Sequence, residues 1–217
     1  MKKIFLITLV LSKLIFSNQL PNDIRWVVKS DEYISICHQT YNTAIQEMNK
    51  IIKNNNSKNL AVIMDLDETV LNNSQYQVEL TALNQTFNMD SWANWVNREE
   101  ATLVPGSERY IKLLRKHNIQ IIYISNRMDE RLDATKNNLK KLDIYSSNDI
   151  FLLRKNKEDK KYIRRDEVYN STGRMKDFKK FKVVQYLGDA MGDFPEGTYN
   201  LFGVSHFVFP NPMYGKW

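Results

Sequence analysis

Leu60-Ala61-Val62-Ile63-Met64-Asp65-Leu66-Asp67-Glu68-Thr69-Val70 is the stretch on which the fold turns. Its first five residues are apolar without a break, the pattern of a strand buried on both faces. Two aspartates, one residue apart, follow at once. Further short apolar runs lie downstream at Gln120 to Ile124, Ile150 to Leu153, Val183 to Leu187 and Phe207 to Phe209. Helical patterns separate them: Ser107 to Lys116 after Pro105-Gly106, Asp129 to Leu142, and a poorer one around Asp159 to Tyr169. Upstream, Ser30 stands as a cap to a helix from about Asp31 to Ile52, with Tyr33, Cys37, Tyr41, Ala44 and Met48 at helical spacing. Strands alternating with helices predict an α/β fold, a parallel sheet of about five strands with helices on both faces. Residues 72–104 are too many for a simple strand-to-helix turn and carry helical stretches of their own, Gln75 to Leu83 and Asp90 to Glu99. They are expected to form a small helical cap inserted after the first strand.

The chain has 217 residues, room for one substantial domain with an insertion but little for two cores. With 42% hydrophobic and 26% charged residues, disorder and coiled-coil readings are excluded. Cys37 is the single cysteine, so no disulfide can form within the chain. Met1-Lys2-Lys3, the apolar run from Ile4, and Ser17 as a small residue read as an export signal over 1–17, leaving a domain over 18–217. Cleavage there would remove Lys2, Lys3 and Lys13 and no acid, taking the net charge from +6 to +3. That is too little to argue for a nucleic-acid polymer as partner. No cysteine follows the apolar run to carry a lipid, so no stable membrane anchor is expected. The expected location is periplasmic or secreted.

The chemistry sits where strands end, as it does in open α/β sheets. A carboxylate in Asp65-Leu66-Asp67 can attack phosphorus, and the second can protonate the leaving oxygen and then deprotonate water. Alone, the pair is common in surface turns. Three further features join it in order. Ser125 and Asn126 follow the second strand and can hold phosphate oxygens; the competing reading is a helix cap. Lys155 to Arg165 offers cations, most of them suited to a solvated helix face. Gly188-Asp189-Ala190-Met191-Gly192-Asp193 places two carboxylates in a glycine-punctuated loop, suited to Mg²⁺ or to a plain turn. Nucleophile, phosphate donors, cation and metal carboxylates are together the parts of phosphoryl transfer.

The set resembles the haloacid dehalogenase superfamily in its four-aspartate branch, and more closely the class C (lipoprotein-e type) bacterial acid phosphatases. The matching stretches are Asp65 to Leu71 with Asn73-Ser74 and Tyr76, Trp92-Ala93-Asn94-Trp95-Val96, Val104-Pro105-Gly106, Ile124-Ser125-Asn126-Arg127, Lys161 with Arg164, Gly188-Asp189 with Asp193-Phe194, and Pro210 to Trp217. The resemblance implies a Rossmann-like sheet and a Mg²⁺-dependent acid phosphatase acting on phosphomonoesters, nucleoside 5′-monophosphates among them. It implies Asp65 as nucleophile and Asp67 as general acid/base. The metal would be held by Asp65, the Asp67 backbone carbonyl and Asp189, with Asp193 close by. Ser125 and Asn126 would bind phosphate oxygens. Lys161, three residues before Arg164, would be the phosphate-facing cation, with Lys157 and Lys160 as competing choices. Trp92, Trp95 and Tyr214 are the candidates for stacking a substrate base. Asn72 departs from the family's usual aspartate. A homodimer and phosphotransfer to an acceptor alcohol are compatible with the same parts; the alternative of another class is a non-catalytic binding or storage protein on the same fold.

Overall fold

The computed structural model describes residues 20–54 and 58–215; the expected export signal lies outside them. Two helices open the described chain, α1 (Asn22–Lys29) and α2 (Asp31–Asn54). The first was not anticipated: it buries only Ile24 and Val27, too few positions to show a period. The core strand β1 (Leu60–Met64) follows, then the short β2 (Leu71–Asn72), α3 (Ser74–Ala82), α4 (Met89–Arg98) and the short β3 (Thr102–Leu103). The remainder alternates: α5 (Ser107–Lys116), β4 (Gln120–Met128), α6 (Leu132–Lys141), β5 (Ile150–Arg154), α7 (Lys161–Asn170), β6 (Lys182–Gly188) and β7 (His206–Val208).

The main sheet has five strands in the order β5-β4-β1-β6-β7, and every pairing is parallel. β1 is central and buried along its whole length, because helices cover both faces. Its side chains divide with a period of two. Val62 and Met64 join one core with Tyr41 and Met48 of α2, Tyr110 and Leu114 of α5, and Trp95 of α4. Ala61 and Ile63 join the other with Ile122, Ile124 and Val168. Among the described residues no helix is long and apolar enough to cross a membrane.

Chain order dictates where the site falls. From β1 the chain proceeds outward through β4 to β5, then returns to β6 on the opposite side of β1. The carboxyl ends of β1 and β6 therefore flank the point where the winding reverses, the natural crevice of such a sheet. Met64 pairs with Leu187, and the Asp65 amide donates to the Leu187 carbonyl at 2.9 Å. This register sets Asp65 beside Gly188-Asp189.

β2 and β3 pair antiparallel, Leu71 with Leu103 and Asn72 with Thr102, and close the ends of the segment that carries α3 and α4. Asn72 Oδ1 accepts from the Ser74 amide at 2.9 Å in the turn that leads into α3; asparagine supplies this acceptor as an aspartate would. Asn88 is the N-cap of α4, its side chain accepting from the Ser91 amide at 2.8 Å.

One boundary differs from the sequence reading in a way that matters. β4 runs on to Met128, with its pairing to β5 interrupted between Ser125 and Met128. Ser125 and Asn126 thus lie on an irregular strand end and cap no helix, since a 3₁₀ turn at Asp129–Arg131 precedes α6. Such interruptions re-aim side chains next to active sites.

Candidate active site

Asp65, Asp189 and Asp193 converge at the mouth of the crevice. Each offers a carboxylate oxygen, and the three lie within 4.8 Å of one another. Asp65 and Asp193 are buried. Lys161, at the first position of α7, stands between them: Nζ is 2.9 Å from Asp65 Oδ1 and also bonds Asp193 Oδ1. Its competitors Lys157 and Lys160 are exposed.

The electrostatics follow from crowding. Burial pushes the Asp65 carboxyl well up, Lys161 opposes the shift, and Asp193 and Asp189 add to it. Asp189 is pushed up to about 6, by burial first and then by Asp193, with an Asn211 hydrogen bond working the other way. Burial disfavours the Lys161 charge, but Asp193 and Asp65 together hold its pKa above the usual range. Three carboxyl groups share one ammonium in the cluster, which is the crowding that raises Asp65 and Asp189. Asp65 Oδ1 is buried, and the Lys161 ammonium at 2.9 Å faces it. Three convergent carboxylate oxygens form an all-oxygen donor set that fits a hard divalent cation such as Mg²⁺.

Asp67 turns elsewhere. Its carboxylate receives Arg127, with Nε at 2.9 Å and Nη2 at 2.8 Å from Oδ1, and Asn73 Nδ2 at 3.0 Å. Ser125 Oγ reaches Asp67 Oδ2 only at 3.5 Å, and accepts from the Arg127 amide at 3.1 Å. The side chain of Asp67 is thus outside the carboxylate cluster.

Two residues that the sequence left without a role hold this arrangement. Arg127 is 1% exposed and also donates to Thr135 Oγ1 at 3.2 Å. Asn73, fully buried, accepts from the Trp95 indole N–H at 2.8 Å while its amide nitrogen faces Asp67. Both stand inside stretches that match the family. Nothing in local pattern shows that an arginine after Ser-Asn would be buried. Arg164, one turn after Lys161 on α7, explains their spacing of three. It is buried, donates to the carbonyls of Ser125 and Leu152, and reaches Asn126 Oδ1 at 2.8 Å. The strand end carrying Ser125 and Asn126 and the helix start carrying Lys161 are thereby tied together.

The aromatic candidates separate. Trp95 is 2% exposed, with the Arg98 guanidinium 4.8 Å from its ring centroid and Tyr76 at 6.0 Å. It is a core residue of the cap, and no ring face is left for a substrate, which corrects the expectation of stacking there. Trp92 is half-buried, edge-on to Tyr76 at 5.2 Å, and 5.8 Å from the Arg127 guanidinium. Tyr214 is exposed, on the segment after β7.

Residues 15–217 match the model of the HAD superfamily, subfamily IIIB (acid phosphatase). The chain belongs to this family. It is similar in structure to a class C acid phosphatase from Bacillus anthracis with tungstate bound, with a TM-score of 0.78 and 30% identity, covering 89% of this chain and 84% of that one. A second structure of the Bacillus anthracis enzyme gives the same TM-score at 28% identity. Among curated proteins, the stem 31 kDa glycoprotein of Glycine max is 27% identical over 155 residues. The chain spans 58% of that protein's length. In this subfamily IIIB acid phosphatase, the Asp65 carboxylate lies in a cluster with Asp189 and Asp193, and that of Asp67 is held by Arg127 and Asn73.

Proposed function

We propose that this chain is a Mg²⁺-dependent phosphomonoesterase that works through an aspartyl-phosphate on Asp65 and takes nucleoside 5′-monophosphates among its substrates. The observation that carries the reading is the convergence of Asp65, Asp189 and Asp193 within 4.8 Å, with Lys161 beside them and Asp67 held apart. Similarity to a phosphatase that binds tungstate, a tetrahedral oxyanion, supports it. In the first step an Asp65 oxygen attacks phosphorus, the ester P–O bond breaks, and Asp67 gives its proton to the departing alkoxide. In the second, Asp67 takes a proton from water as the water oxygen attacks phosphorus, and the Asp65–phosphorus bond breaks to free phosphate. Asp65, the Asp67 carbonyl and Asp189 would hold Mg²⁺, which supplies charge neutralisation for the transferring group. Ser125, Asn126 and Lys161 bind the phosphoryl oxygens. Export after cleavage within 1–17 completes the reading.

The test is phosphate release from a panel of phosphomonoesters, with Mg²⁺ and with chelator. Stacking of a base on Trp92 and Tyr214 is worth roughly 1–3 kcal/mol. Nucleoside 5′-monophosphates are therefore expected to exceed sugar phosphates in kcat/KM by about tenfold or more. A flat profile removes the stacking and keeps the hydrolase; no phosphate from any ester removes the function.

Gly188→Ala gives a second check. A Cβ at Gly188 would fall 2.3 Å from Asp193 Cβ and Oδ2. Asp193 must move, and with it Lys161. Small misplacements of catalytic groups cost on the order of 100-fold in rate. The variant is expected to lose about that much kcat while circular dichroism shows it folded; a kcat within twofold of wild type would contradict the tight fit.

A further inference from the structure

We propose that the segment Pro210 to Tyr214 is a strap that couples the cation site to the ring subsite, with Asn211 as a positioning residue for Asp189. The ring subsite rests on the reading of function given above. The strap starts beside the site, because the Phe209 amide donates to the Gly188 carbonyl at 2.9 Å. Phe209 is buried and its ring centroid is 4.6 Å from that of Tyr41. Asn211 stands between Pro210 and Pro212, which restrict the backbone on both sides. Its Oδ1 accepts from the Met213 amide at 3.1 Å. That bond fixes the orientation of the amide, so Nδ2 faces Asp189 and donates to Oδ2 at 2.8 Å. One Asp189 oxygen is thereby held, and the other is oriented for a cation.

Three residues on, the Tyr214 hydroxyl donates to Glu68 Oε2. Glu68 is 1% exposed, holds a left-handed backbone with φ of 54°, and accepts from the Asn73 amide at 2.8 Å. Glu68 follows Asp67 at the exit of β1, and Asp189 follows the exit of β6. The strap is therefore pinned to both strand exits that supply the site. Met213, between the pins, packs against the main core. Release at either end loosens the other.

The full chain is titrated with Mg²⁺ by calorimetry in the absence of substrate, for wild type, Asn211→Ala and Tyr214→Phe, each checked by thermal melting. Losing a group that orients a metal ligand commonly weakens metal binding by 10–100-fold. Asn211→Ala is expected to weaken Mg²⁺ by about tenfold or more, by the same rule. Tyr214→Phe is expected to weaken it measurably as well, although its hydroxyl touches no carboxylate of the cation cluster. Both are expected to lower the kcat/KM ratio of adenosine monophosphate to glycerol phosphate. Wild-type Mg²⁺ affinity in Asn211→Ala overturns the positioning role. Unchanged Mg²⁺ affinity in Tyr214→Phe overturns the coupling. Should Asn211→Ala melt early, Asn211→Ser keeps an acceptor for the Met213 amide without the reach to Asp189, and must show the same loss. If wild type shows no preference for the ring-bearing ester, the nucleotide reading fails, while the calorimetry still decides the strap.

Discussion

Replacing Asp65 with asparagine is expected to reduce phosphate release by about 10⁴-fold or more, the scale on which losing a covalent nucleophile is felt. In chelator the same variant is expected to melt at a higher temperature than wild type. Both effects have one origin. The carboxyl of Asp65 is buried against Asp189 and Asp193, and burial together with those two charges disfavours its ionised form. An amide of the same shape removes the repulsion and leaves Lys161 paired with Asp193. Function here is held at a cost in stability. The pH dependence has a matching sign. Asp189 titrates at about 6 in the folded chain, above an unfolded carboxyl near 3.9. A raised carboxyl pKa means the folded state binds the extra proton. Metal-free protein is thus expected to gain stability from Asp189 as pH falls from about 7 towards 4, and to lose it as pH rises through 6. Melting curves in chelator for wild type and Asp65→Asn test both claims. Full turnover in Asp65→Asn would end the mechanism.

The second large effect is that of the cation. With Mg²⁺ at about 100 times its dissociation constant, stabilisation of about 2.7 kcal/mol is expected. For a chain of this size that raises the melting temperature by roughly 5–10 °C. Asp189→Asn is expected to abolish the shift, and chelation to abolish phosphate release. Because the ligands must be deprotonated, the shift is expected to shrink as pH falls through 6. A wild-type chain whose melting temperature ignores Mg²⁺ while turnover proceeds would remove the metal from the scheme.

What was legible in the sequence was whatever repeats locally. The apolar runs gave all five strands of the main sheet, because a strand covered on both faces is mostly apolar, as Leu60 to Met64 is throughout. The order of the strands was not legible. Nothing in Val183 to Leu187 says that it pairs with β1 and not with β5. Asp65, Asp189 and Asp193 were legible because they follow strand exits, whereas Lys161 is marked out from Lys157 and Lys160 only by the family resemblance, three residues before Arg164. Arg127 and Asn73 went without a role because their partners are distant in the chain: Arg127 and Asp67 are 60 residues apart, and Trp95 and Asn73 are 22 apart. The misreading of Trp95 has the same cause. A tryptophan on a cap helix has the same local signature whether its ring is free or enclosed by Tyr76 and Arg98.

Asn73 has one further consequence. It grips Trp95 with its oxygen and Asp67 with its nitrogen. Through this one side chain the cap helix α4 is linked to the carboxylate of Asp67. The insertion and the exit of β1 are thus joined by one buried amide, and whatever displaces the one disturbs the other.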